Sequence, residues 1–84
     1  MIDENKMIHA PILLRNQDDV PKITKKYVIL FDQTISGFTW DNMIQAINLM
    51  SDYYWRCVNI STSLGSQVPI TGRAFYCYAL MEKT

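Results

Sequence analysis

The apolar residues of this chain fall into three kinds of run. Residues 26–31, Lys-Tyr-Val-Ile-Leu-Phe, form an unbroken β-branched and aromatic stretch, which predicts a strand apolar on both faces. Residues 32–38 end it at Ser36-Gly37. Thr39 then suits an N-cap, with Asp41 in the first turn where a negative charge meets the positive end of the helix dipole. From Trp40 onward, Met43, Ile44, Ile47 and Met50 recur at helical spacing, widened by Ala46 and Leu49. They predict a helix over residues 40–51 with one apolar stripe.

Alternation returns after Ser51-Asp52. Residues 54–62 read as a strand with Trp55, Cys57 and Asn59 on one face and Arg56, Val58 and Ile60 on the other. Residues 63–72 are small and polar around Gly65, Pro69 and Gly72, and read as a loop. Residues 73–82 predict the last strand, with Phe75, Cys77, Ala79 and Met81 alternating against Ala74, Tyr76, Tyr78 and Leu80. Residues 1–25 read as an N-terminal arm, fenced by Pro11 and Pro21, with room for one short strand at residues 11–15. Residues 26–84 then make a β-α-β-β domain. The class is α+β: a three- to four-stranded, mainly antiparallel sheet with one helix packed on one face.

The long hairpin has a geometric consequence. With its loop centred near Gln67, Cys57 and Cys77 face each other on neighbouring strands, about 4.5–5.5 Å apart at Cβ. Such a pair reads either as redox or metal chemistry or as two small apolar residues in a core. A metal would need further ligands, and His9 is the single histidine. One helix also leaves one sheet face bare, and Tyr27, Val28, Val58, Tyr76 and Tyr78 suggest that this face is apolar or aromatic. A homo-oligomer, most simply a two-fold dimer, is expected.

Composition narrows the function. The chain has 84 residues, 49% hydrophobic and 12% aromatic, with eight basic and eight acidic side chains. A domain this small buries only about 60–65% of its unfolded surface, so a rich core or a shared one is needed. Balanced charge argues against a nucleic-acid binder or a polybasic membrane anchor. No apolar run reaches membrane-spanning length, and residues 1–6 lack the order of a signal peptide, so a cytoplasmic protein is expected. For enzymes the inventory is thin. There is no GxxxxGK(S/T), GxGxxG or HExxH, and Asp18-Asp19 reads as a solvated turn. No catalytic residue, metal or cofactor is expected.

The richest chemistry lies around the hairpin. Arg56 and Arg73 flank Ser63, Gly65, Ser66, Thr71 and Gly72, whose hydroxyls and open backbone amides suit an anion, and Tyr76 could stack on a base. The same residues fit an ordinary surface loop, with Arg56 and Arg73 paired to Asp52 and Glu82 instead.

The segments Lys26-Tyr27-Val28-Ile29, Trp55-Arg56-Cys57-Val58 and residues 75–83 resemble a group of small bacterial and phage βαββ domains of unknown function. That group has a K-Y-x-V strand, a helix ending in G-W and a closing Y-x-A-M-x-K strand; the likeness covers residues 26–83. Tyr54 stands where the group has glycine, so a differently built turn is expected, and residues 15–25 have no counterpart. Similar folds occur in phage anti-defence sponges that trap nucleotide signals. The resemblance implies a non-enzymatic oligomer with ligand pockets between subunits, working in the host cell cytoplasm if phage-encoded. Two functions are therefore expected to compete: sequestration of a phosphate-bearing nucleotide, or contact with another protein through the aromatic sheet face.

Overall fold

A computed structural model describes residues 3–34, 40–68 and 72–84, with side chains for 3–33, 40–62 and 76–84. The chain is α+β, as its pattern predicts. A short strand β1 (Ile8–His9) leads into helix α1 (Ala10–Arg15) and a 3-10 turn (Gln17–Lys22). Then follow β2 (Tyr27–Thr34), helix α2 (Asp41–Ser51), β3 (Trp55–Val68) and β4 (Gly72–Lys83). The sheet order is β1-β2-β4-β3, with β1 parallel to β2 and the other pairs antiparallel.

The N-terminal arm departs most from expectation. The strand expected at residues 11–15 is helix α1, because Pro11 sits in the first turn, where a missing N–H costs nothing. The strand falls just before it, at Ile8–His9. Ile8, Ala10, Leu13, Val20 and Ile23 are all buried, and α1 packs beside α2, so the layer over the sheet holds two helices rather than one. Glu4 ties the arm down by accepting from the Thr24 backbone N–H (2.8 Å) and from the Thr24 hydroxyl.

Helix α2 has the expected length, but its phase is rotated. Met43, Ala46 and Met50 are buried against the sheet, with Ile47 and Leu49 partly covered. Ile44, expected in the stripe, is 56% exposed. With Met43, Ala46 and Met50 on the buried side, Ile44 stands about 100° round the helix from Met43. The N-cap position is Trp40, without a side-chain cap; Thr39 lies outside the described residues.

Alternation sets the two faces. Val28, Leu30 and Asp32 of β2 and Cys77, Ala79 and Met81 of β4 point under the helices and are buried. Tyr27, Ile29, Phe31 and Gln33 pair with Glu82, Leu80, Tyr78 and Tyr76 on the other face. Val28, expected there, is in the core. On β3 the alternation holds through Cys57, and then a bulge inserts Val58 between the partners of Met81 and Leu80. Asn59 and Ile60 therefore exchange faces relative to expectation.

The segment expected as a loop over residues 63–72 is largely strand. β3 runs to Val68, and a second register shift between Leu64 and Gln67 absorbs Gly65-Ser66 as a bulge. Each bulge moves the pairing by one residue. The hairpin closes beyond the Val68–Gly72 pair rather than at Gln67, so Cys57 faces Met81, Cys77 faces Thr62, and the two cysteines are not opposite each other. Cys57 is exposed and Cys77 buried. The 12 residues of β4, at about 3.3 Å each, account for the 41 Å long axis of the molecule.

The turn into β3 carries a further correction. Tyr54 has φ 69°, the left-handed region that glycine favours, so the turn keeps the backbone a glycine would give it. Its carbonyl accepts from the N–H (2.8 Å) and hydroxyl (2.7 Å) of Thr84, which pins the C-terminal strand to the turn.

Candidate functional site: the open sheet face

The face opposite the helices is built by β2, β4 and the start of β3. Its middle is apolar and aromatic: Ile29 (40% exposed) and half-buried Phe31, Leu80, Tyr78 and Tyr76. Tyr76 and Tyr78, two apart on β4, stand with nearly parallel rings 6.2 Å between centroids. His9 extends the surface beyond β2, its ring 4.9 Å from that of Phe31. Residues 4–7 run along one border and leave a shallow trough between Met7, Tyr27, Ile29 and Leu80. Among the described residues, no helix lies over this face.

One end of the face is polar and tightly organised. Arg56 Nη2 lies 2.6 Å from Glu82 Oε1, and its Nε donates to the same oxygen at 2.7 Å. The Tyr27 hydroxyl donates to Glu82 Oε2 at 2.7 Å. The Tyr27 bond and then the Arg56 guanidinium hold the Glu82 carboxyl below its usual range. The same bond, with the carboxylate's charge, raises the Tyr27 phenol above its own.

The two arginines expected to grip an anion lie at opposite ends of the hairpin. Arg56 pairs with Glu82 at the base of the hairpin, whereas Arg73 sits opposite Gln67 near its tip. Nine residues of β4 separate Glu82 from Arg73, about 30 Å at the rise of a strand. Ser63, Gly65 and Ser66 belong to β3 and Gly72 to β4; their side chains, and Thr71 altogether, lie outside the described set. Tyr76 is where the alternation put it, on the open face.

A second feature was not legible in the pattern. Asp32, only 8% exposed, accepts the Gln33 N–H at 2.8 Å and lies 3.5 Å from His9 Nε2. The pair borders a cleft shared with Ile12, Phe31 and Asn42. Cys77 is the register partner of Asp32. Burial first, and then the Asp32 charge, push the Cys77 thiol up. A thiol held protonated is the reverse of what a nucleophile needs. Among the described residues, no group of three His, Cys, Asp or Glu side chains could hold a metal. No helix there is long and apolar enough to cross a membrane. Comparison with known proteins finds no matching family model, no matching curated protein and no matching solved structure.

Proposed function

We propose that this chain is a non-enzymatic protein-interaction module whose working surface is the open sheet face. The observation that carries the reading is the Ile29–Phe31–Leu80–Tyr78–Tyr76 surface, left without a covering element among the described residues. Tyrosines supply large rigid contact area while their hydroxyls keep the free surface wettable, which suits a surface that is alternately free and bound.

The occupant fits a second protein presenting a small uncharged apolar patch. Eight residues of β2 across three strands give roughly 26 by 15 Å, about 400 Å². That is half of the about 800 Å² per partner in a standard interface, and it belongs to the weak, transient class. Among the described strand residues of the face, the charged pair is Arg56 and Glu82 at one end, and the two neutralise each other.

Nucleotide sequestration is the weaker reading. It needs unpaired cations converging on phosphate, whereas Arg56 is engaged by Glu82 and Arg73 lies at the far end of the hairpin. A photoreactive phenylalanine analogue placed at Ile29, or at Ile44 on the solvent side of α2, tests the proposal in the cells that make the protein. The expected result is a discrete cross-link to a different protein from position 29 and none from position 44. Cross-linking at 29 only to another copy of the chain, or equal labelling from both positions, would overturn it. A melting temperature raised by nucleotides would return the sponge reading to the front.

A further inference from the structure

The two edges of the sheet are managed very differently. The β1 edge is two residues long and turns at once into helix α1, so it offers no template for another strand. The other edge, β3, has 14 residues and, among the described residues, pairs only with β4. Beyond the buried Trp55, residues 56–62 of β3 are exposed, including Val58 (47%) and Ile60 (53%). Strand edges are usually guarded by lysine, proline, inward charge or bulges. Here the guards are two bulges, one at Val58 and one at Gly65-Ser66. Between them the run Asn-Ile-Ser-Thr-Ser-Leu, residues 59–64, is regular, uncharged and free of proline. Six residues is the usual length of a complete strand.

We infer that this window is a self-pairing edge: two copies of the chain join β3 to β3 antiparallel across a two-fold axis, making one eight-stranded sheet. Three observations select a second copy as the occupant. The chain has no net charge, so copies do not repel. The window pairs well with itself. With Ser61 on the axis, Ile60 lies opposite Thr62 of the second copy and Asn59 opposite Ser63, with no like charges facing. Finally, with one edge open and the other blunted, self-pairing closes at a dimer instead of running on into a fibre. The two open faces then lie side by side on one continuous surface, so a partner with two matching patches gains by avidity. The inference stands on the edge alone and does not depend on what the open face binds.

Cysteine cross-linking tests it directly. In a Cys57→Ala background, Ser61→Cys places two thiols across the axis, within disulfide reach at opposed strand positions. Mild oxidation at roughly 100 μM, where a small interface still populates the pair, is expected to give a covalent dimer. Ser51→Cys, exposed at the end of α2, is the control and should give none. Ile60→Lys in the otherwise natural chain is expected to return the protein to a monomer in sedimentation, with its fold unchanged by circular dichroism. The inference is overturned if Asn59→Cys, Ser61→Cys and Thr62→Cys all cross-link no more than the control. It is equally overturned if the protein is monomeric at that concentration. A dimer that survives Ile60→Lys but is lost in Ile29→Asp would mean that the copies meet through their open faces instead.

Discussion

Arg56 and Glu82 face each other across β3 and β4, 2.6 Å apart, and Tyr27 on β2 completes the cluster by donating to the same carboxylate. The three residues tie together three adjacent strands on the open face. Glu82 has its pKa lowered, so its contribution is present above the ordinary carboxylate range and is lost as pH falls through the depressed value. Tyr27 has its pKa raised, so its contribution is present below the ordinary phenol range and is lost as pH rises through the elevated value. Glu82→Gln removes the charge but keeps an acceptor. Ultraviolet titration of the tyrosines should then show one phenol returning toward its ordinary pKa. An unchanged titration would mean that the Tyr27 bond is absent in solution.

Tyr54 predicts a gain from a single change. A non-glycine residue in the left-handed region costs about 1–3 kcal/mol, and Tyr54 is 76% exposed, so little packing offsets that cost. Tyr54→Gly should stabilise the fold by about 1 kcal/mol, after subtracting glycine's greater freedom when unfolded. Thermal unfolding should show a midpoint about 4–8 °C higher. A lower midpoint would mean that the tyrosine ring makes contacts worth more than the strain.

The phase of α2 is testable residue by residue. Met43→Ala removes a fully buried side chain and should cost about 2–5 kcal/mol. Ile47→Ala, half-buried, should cost about 1 kcal/mol. Ile44→Ala should stay within about 0.5 kcal/mol. Denaturant unfolding that ranks Ile44 above Met43 would place the stripe where the bare spacing put it.

The cysteines should differ in reactivity. Cys57 is exposed on the edge strand, whereas Cys77 is buried with its thiol pKa raised. A thiol-specific reagent should therefore modify one group per folded chain and two after denaturation. Two fast thiols in the native protein would contradict the burial of Cys77 under the helices.

Periodicity made the strand at residues 26–31, the helix at residues 40–51 and the two-sided character of β4 legible. Each carries its signal in side chains a few positions apart. What the pattern missed depends on long-range register. Gly65 and Ser66 look like loop residues but are absorbed as a bulge, and every bulge slides the facing strand by one residue. The hairpin also closes beyond Val68 rather than at Gln67, and that separates Cys57 from Cys77. The pairing of Arg56 with Glu82 spans 26 positions of sequence, beyond any local spacing. Arm residues such as Leu13 and Val20 carry no such signal, because α1 and the 3-10 turn are too short to show a period; Leu13 is buried on α1, which packs beside α2.

The central claim is that the open sheet face is the binding surface, and it is tested most directly by comparing two charge insertions of equal chemistry. Ile29→Asp puts a carboxylate in the middle of the face, and Ile44→Asp puts one on the outer side of α2; both positions are exposed enough to accept it without loss of fold. The measurement is calorimetric affinity for the protein cross-linked from position 29. The account predicts that Ile29→Asp weakens binding by more than about tenfold, the cost of an unpaired charge in a contact core, while Ile44→Asp leaves it within about twofold. Equal affinities for the two variants would contradict it.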